Sequence, residues 1–369
     1  MTSLNTPLEL SIVVPTFNER ANVDALLAVL GDSLSGLHWE IVFVDDDSPD
    51  RTAAYVRSIA LREPNVHCLQ RIGRRGLSRA VIEGILATSA PYIVVMDADL
   101  QHDEKLIPQM LAEAKTSSLD FIIASRYCAG GSPGKWENSR LRMSRFATQL
   151  AHIIVSEEVS DPMSGFFLIT RAAFDSRVRK LSGEGYKILL DLLTATRETP
   201  RLAEIPYTFK TRMAGESKLD STVLIEYLLL IIDKLTHHAI PPRLVLFSLV
   251  GGSGVLVHFA VLWFTYQHLS LDFGIGQATA SLVAMTSNYL LNNALTYFDR
   301  RRHGWNLLTG LLSFYLVCGI GALANVGIAN YVFKQNQQWI LAGIAGIVVG
   351  TVWNYAASNA ITWGPAKRT

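Results

Sequence analysis

Between residues 243 and 369 only seven side chains are Lys or Arg and two are Asp or Glu. The same stretch holds four apolar segments, about 244–266, 274–298, 306–333 and 339–363, each long enough to cross roughly 30 Å of hydrocarbon as a helix. A backbone in lipid must satisfy its own N–H and C=O groups, which leaves such segments little choice but helix. Arg300, Arg301 and Arg302 fall between the second and third segments, and Lys367 and Arg368 follow the fourth. The other two loops share one base, Lys334. The positive-inside bias therefore predicts both termini on the cytoplasmic side. Gly251, Gly252 and Gly254, then Gly343, Gly346 and Gly350, permit close helix packing. Asn288, Asn292, Asn293, Asn354 and Asn359 are expected to bond between helices, with a polar pathway as the alternative.

The first 242 residues differ in kind, with 26 basic and 30 acidic side chains. The mean hydropathy of +0.24 and net charge of +1 thus average two unlike parts. No basic excess points to a nucleic-acid partner. Cys68, Cys128 and Cys318 show no ligand spacing and are expected to be free thiols in a reducing compartment. Met1 to Pro7 is short and polar, so no signal peptide is expected and the front half should face the cytoplasm.

This front half reads as a mainly parallel α/β sheet. Leu10 to Pro15, Glu40 to Val44, Val66 to Leu69, Ile93 to Met96 and Phe121 to Ser125 are short β-branched runs. Helical spacing separates them over about 22–34 and up to Ala87. The strand at Ile93 runs into Asp97-Ala98-Asp99-Leu100-Gln101. Ligands of open α/β sheets sit beyond the carboxyl ends of strands. Two carboxylates and an amide there form a hard oxygen cluster suited to Mg²⁺ or Mn²⁺ rather than zinc. For an isolated D-x-D, a helix cap and acidic loop is the simpler account. Asp45, Asp46 and Asp47 end a second strand, and Arg126 follows a third. A cation site beside an arginine would suit a diphosphate that bridges both, whereas Arg126 alone would be an ordinary ion pair.

Taken with Pro15-Thr16-Phe17-Asn18-Glu19 and Ser164-Gly165-Phe166-Phe167, these blocks resemble the family 2 inverting glycosyltransferases with a GT-A fold. More narrowly, residues 10 to 230 resemble the polyprenyl-phosphate (dolichol-phosphate) mannose synthases. The resemblance implies that Pro15, Phe17, Glu19, Val44 and Asp46 hold the base and ribose of a sugar nucleotide, GDP-mannose above all. It implies that Asp97, Asp99 and Gln101 bind the metal, with Ala98 beside the donor. Arg126 and Arg140 would receive the lipid phosphate, and Lys187, Arg212 and Lys218 would contact the donor. Asp99, Arg126, Arg140 and Arg212 would carry the catalysis. Phe17 stands where Tyr is frequent, Ser78 where Gly is common, and Arg51 where Gly often follows the Asp. The back half, through Phe247 to Gly252 and Ser287 to Asn293, is similar to the GtrA-like four-helix family. That implies a membrane anchor for the lipid, or a part in moving it across the bilayer.

These readings divide the chain into a cytoplasmic catalytic domain (1–220), an interfacial stretch (221–242) and a transmembrane domain (243–369). Thr222 to Leu235 fits either an amphipathic helix on the membrane surface or a core helix of the front domain. Arg140, Arg142 and Arg145 fit either a solvated helix face or a positive surface for anionic lipid headgroups, and a mixed role is expected, with Arg140 turned into the site. His102, His152, His237 and His238 are given no catalytic role. Expected partners are a sugar nucleotide, a polyprenyl or dolichyl phosphate and membrane lipids, with a homo-oligomer left open. Alternatives are the same reaction from UDP-glucose or another sugar nucleotide, a processive polysaccharide synthase whose Q-x-x-R-W motif is absent, and a lipid-sugar transporter with an inactive front domain.

Overall fold

The computed structural model describes residues 7–155, 159–183, 186–196, 198–210, 221–236, 239–336 and 339–364. The chain divides into two compact units, Met1–Leu235 and Thr236–Thr369.

The first unit is built on strands β1 (Leu10–Thr16), β2 (Trp39–Asp45), β3 (Val66–Gln70), β4 (Tyr92–Val95), β5 (Phe121–Ser125), β6 (Phe167–Thr170) and β7 (Leu202–Pro206). They form one sheet in the order β3-β2-β1-β4-β6-β5-β7. β1, β2, β3 and β4 pair in parallel, as do β5 and β7. β6 runs antiparallel to both β4 and β5. Its reversal has a topological effect: the chain entering β6 meets the same sheet edge at which β1, β2, β4, β5 and β7 end.

The α-helices that accompany the sheet among the described residues are α1 (Val23–Ser33), α2 (Thr52–Ala60), α3 (Leu77–Ala87), α4 (Ile107–Thr116), α5 (Asn138–Ala151), α6 (Arg171–Arg177), α7 (Ile188–Thr194) and α8 (Ser221–Leu235). The strands are apolar throughout because helices cover both faces. Ile12, Val14, Phe43 and Val94 face α1 and α4. Their neighbours Val13, Val42, Val44, Ile93 and Val95 face α3, α6 and α7. α3 comes so close that a Cβ on Gly84 would lie 2.5 Å from Val13 Cγ1 and 2.7 Å from Val44 Cγ2. α8 belongs to this unit: Tyr227, Leu230 and Ile231 are buried with Ala147, Ala151 and Leu190. Of the two accounts of Thr222 to Leu235, the core helix describes that buried face.

The second unit contains α9 (Pro242–Trp263), α10 (Phe273–Leu291), α11 (Trp305–Asn336) and α12 (Trp339–Ala357). Among the described residues three stretches, Pro242–His268, Trp305–Gln335 and Ile344–Thr362, are long and apolar enough to cross a membrane. Four were expected. The difference is α10, which is helical but diluted by Gln277, Thr279, Ser281, Thr286, Ser287 and Asn288.

These helices form two hairpins, α9 on α10 and α11 on α12, whose second helices end alike. Asn288-Tyr289-Leu290-Leu291-Asn292-Asn293-Ala294-Leu295-Thr296-Tyr297 matches Asn354-Tyr355-Ala356-Ala357-Ser358-Asn359-Ala360-Ile361-Thr362-Trp363. Both stretches relax into a π-helical turn at the same point, Asn292–Thr296 and Ser358–Thr362. Gly254 faces the Asn288 amide and Gly321 faces the Asn354 amide, and a methyl group on either glycine would overlap its asparagine. The equivalent rings Tyr297 and Trp363 stack on each other at 4.2 Å and 8°.

Candidate active site

The crowded edge of the sheet gathers nearly every polar residue singled out in the sequence. At the end of β2, Asp45 accepts from Ser48 N–H at 2.9 Å and from Ser48 Oγ at 2.5 Å, closing the acidic turn on itself. Asp46 accepts from Arg71 Nη1 at 2.5 Å and from Gly76 N–H at 2.7 Å. Burial pushes its carboxyl above the usual range, against the pull of Gly76 and Arg71. Arg71, 1% exposed, also reaches Glu83 at 3.2 Å. Arg71 is not among the site residues expected from the sequence. At the end of β1, Phe17 lies under the Arg75 guanidinium, 4.3 Å from the ring centroid. Glu19 accepts from Asn22 Nδ2 at 2.7 Å. Pro15 is half-buried, whereas Val44 is fully buried with its side chain toward α3, so its backbone alone is available to a ligand.

β4 stops at Val95, and the chain turns through Asp97-Ala98-Asp99-Leu100-Gln101. Leu100 has φ +61°, a strained value for a bulky side chain and one that marks this turn as over-determined by its surroundings. Asp99 Oδ1 accepts from Gln101 N–H at 3.2 Å. Asp97 donates its N–H to His102 Nδ1 at 3.2 Å, while its carboxylate is 41% exposed. His102 is buried and stacked on Phe166 at 5.1 Å, and burial pushes its imidazole down to about 4. It is therefore a neutral acceptor for the Asp97 N–H. Gly165 backs onto the same place: a Cβ there would stand 3.3 Å from Asp97 Oδ2.

Gln101 donates Nε2–H to the Lys210 carbonyl at 2.9 Å and accepts Lys210 N–H on its own carbonyl at 2.9 Å. With the amide nitrogen committed, Oε1 is the end left to a ligand. Lys210 Nζ bridges Asp103 at 3.2 Å and Glu104 at 3.0 Å. Among the described residues no three His, Cys, Asp or Glu side chains gather as a metal cage. Two carboxylates and an amide oxygen instead fit an ion completed by substrate phosphate and water, the habit of Mg²⁺.

Arg126 follows β5. Its Nε and Nη2 meet Asp161 at 2.7 and 2.8 Å, and its backbone N–H reaches the same carboxylate at 3.1 Å. Burial opposes its charge, but the bonds to Asp161 outweigh that and hold the guanidinium above its ordinary range. Asp161 was missed from sequence. Arg126 and Arg140 lie against one ring, Trp136, at 5.2 and 4.2 Å from its centroid. Lys187, just ahead of α7, is near enough to Arg126, Asp161, Asp97 and Arg140 to feel all four charges. The structure thus brings Asp97, Asp99, Gln101, Arg126, Arg140 and Lys187 to one end of the sheet. Arg212 and Lys218 lie outside the described residues.

Residues 11–177 match the family described as Glycosyl transferase family 2, and residues 246–363 match the GtrA/DPMS transmembrane domain. A dolichol-phosphate mannosyltransferase of Pyrococcus furiosus is 33% identical over 358 residues, spanning 96% of this chain and 99% of the relative. The protein of that name from Saccharomyces cerevisiae is 35% identical over 230 residues, 60% of this chain and 85% of the relative. A glucosyl-3-phosphoglycerate synthase structure from Mycobacterium tuberculosis overlaps 62% of this chain and 79% of its own, at 18% identity and TM-score 0.47. The first of these relatives runs the whole length of both units, and the chain belongs to the dolichol-phosphate mannosyltransferase family, a family 2 glycosyltransferase joined to a GtrA/DPMS transmembrane domain.

Proposed function

We propose that this enzyme transfers mannose from GDP-mannose to a polyprenyl or dolichyl phosphate with inversion, at the cytoplasmic face of a membrane. The observation that carries the reading is the juxtaposition of Asp97, Asp99 and Gln101 with Arg126, Arg140 and Lys187 at one end of the sheet. The relatives' shared name supports mannose as the sugar.

Asp97, Asp99 and the Gln101 amide oxygen would hold Mg²⁺ or Mn²⁺. Such an ion supplies charge neutralisation for a departing diphosphate. Pro15, Phe17, Glu19, the Val44 backbone, Asp46 and Ala98 would line the nucleoside, with Arg75 stacked on Phe17 as part of that wall. Asp46 is already bonded to Arg71 and Gly76, so it would act chiefly by shaping the wall. Arg126 and Arg140, spread over Trp136, would orient the acceptor phosphate for in-line attack on the anomeric carbon. That phosphate is a monoester, largely ionised near neutral pH, so the oxygen attacks without a general base. The C–O bond to GDP breaks as the new C–O bond forms, and no proton need move. A single displacement turns an α-linked donor into a β-linked product. Lys187, between the two halves of the site, would meet the donor diphosphate, with Arg212 and Lys218 as further cations.

The test is transfer of labelled sugar from GDP-mannose and, separately, UDP-glucose to polyprenyl phosphate in membranes containing the full chain. Metal-dependent mannolipid that is lost in Asp99→Ala is the expected result. Glucolipid alone would overturn the donor, and transfer that survives Asp99→Ala would overturn the site.

A further inference from the structure

We infer that Asp161 is the positioning residue of the acceptor site, acting through Arg126. The inference rests on the proposal that Arg126 meets the lipid phosphate. Asp161 is fully buried, and both of its oxygens are given to one arginine, at Nε, Nη2 and the backbone N–H. A planar guanidinium gripped along its Nε/Nη2 edge has its third nitrogen, Nη1, aimed in a fixed direction. No described hydrogen bond uses Nη1.

Asp161 is itself held from behind. Its N–H donates to Glu204 Oε1 at 3.0 Å, and Ser160 donates to Glu204 Oε2 from its N–H at 3.1 Å and its Oγ at 2.5 Å. Ser160 Oγ also lies 2.8 Å from Ser125 Oγ, and Ser164 N–H closes a turn onto the Asp161 carbonyl at 3.1 Å. Glu204 sits in β7 and Ser125 ends β5, so two paired strands fix the carboxylate that fixes the arginine.

The charge balance separates this role from simple attraction. Arg126 and Asp161 together carry no net charge. What Arg126 contributes to a phosphate dianion is therefore direction more than net charge. Neutralising Asp161 would raise the net positive charge yet harm acceptor use. Plain electrostatics predicts the reverse.

The experiment measures steady-state kinetics of the full chain in detergent, varying GDP-mannose and a short polyprenyl phosphate in turn, with thermal melting of each variant. Asp161→Asn puts an amide N–H₂ against the arginine's own donors. It should raise KM for the lipid phosphate roughly tenfold or more, because small misplacements of a positioning group are costly. KM for GDP-mannose should stay within about twofold by the same reasoning. Arg126→Lys keeps the charge but cannot be gripped along an edge, and should copy that defect. Against an Arg126→Ala background, adding Asp161→Asn should leave acceptor KM unchanged and raise the melting temperature by removing an uncompensated buried carboxylate. An undiminished effect of Asp161→Asn in that background, or an unaltered acceptor KM in Asp161→Asn alone, would overturn the inference. If Asp161→Asn does not fold, Arg126→Lys and the double variant decide it. If Arg126→Ala itself leaves acceptor KM unchanged, the phosphate role of Arg126 fails instead.

Discussion

Lys187 offers a test in which pH is the perturbation. Burial, reinforced by Arg126 and Arg140 and opposed by Asp161 and Asp97, pulls its ammonium down from 10.5 to about 8. About nine in ten copies are then charged at pH 7 and about one in ten at pH 9. The sign follows directly: raising the pH strips the cation that the donor diphosphate needs. Initial rates with acceptor held below its KM, at constant ionic strength, would give kcat/KM for GDP-mannose, which then reports the enzyme free of both substrates. It should be level to about pH 7.5 and fall about tenfold by pH 9. The lipid phosphate is ionised throughout that window and adds no limb. In the donor complex the diphosphate favours the charged amine, so the limb in kcat should lie at higher pH. Lys187→Met should give a flat profile near the alkaline wild-type level. Lys187→Arg should keep the neutral plateau and lose the limb, because guanidinium stays charged there. A wild-type profile that stays flat through pH 9, or a limb near 8 that persists in Lys187→Met, would refute the reasoning.

Three other substitutions probe the scaffold. Lys210→Met removes both ion pairs that anchor the segment holding Gln101; the half-saturating Mn²⁺ concentration should rise severalfold, whereas Lys210→Arg should restore it. Unchanged metal dependence in Lys210→Met would show that the backbone bonds suffice. Gly84→Val drives a side chain into Val13 and Val44 and should cost about 1–3 kcal/mol beyond its gain in helix propensity. For a unit of this size the melting temperature should drop by roughly 2–10 °C, and no drop would mean that α3 can shift outward. Gly254→Leu and Gly321→Leu should destabilise the membrane unit to a similar degree, since each pushes an equivalent asparagine away; Leu323→Ala, on an exposed position of α11, should be nearly neutral. A large effect at one glycine and none at the other would break the equivalence of the hairpins.

What could be read from the chain without a structure was local. The β4 run and the Asp97 to Gln101 turn are contiguous, so burial and the carboxylates that follow appear side by side. Arg126 was likewise visible as the end of an apolar run. Its partner was not, because Asp161 lies 35 residues away and reaches the same edge only through the reversal at β6. β6 and β7 went unread for a related reason: four- and five-residue strands carry little periodicity, and their placement comes from pairing. Nothing local marks Arg71, which is buried on Asp46 across 25 residues. At α8 the apolar spacing was clear but its counter-surface was not, since an amphipathic face reads alike whether it meets lipid or Ala147 and Leu190. The paired hairpins were present in plain sequence, masked by the uniform hydrophobicity of segments whose matching polar positions are few.

That pairing bears on how such a membrane unit can arise and change. A hairpin begins and ends on one side, so a second copy spliced in tandem inherits the polarity of the first without any element having to turn over. Growth by twos leaves the address of everything attached at the ends untouched. Copies that share a direction also differ from the inverted repeats of rocking transporters, where two halves exchange roles as the inside and outside gates. Here the second helix of each hairpin ends in a π turn followed by one of the stacked rings Tyr297 and Trp363, while the first hairpin adds a further π turn, Phe264–His268, at its opposite end. What the two hairpins repeat is the ending of the second helix, so a change tolerated at one ring of the stacked pair has to be matched at the other.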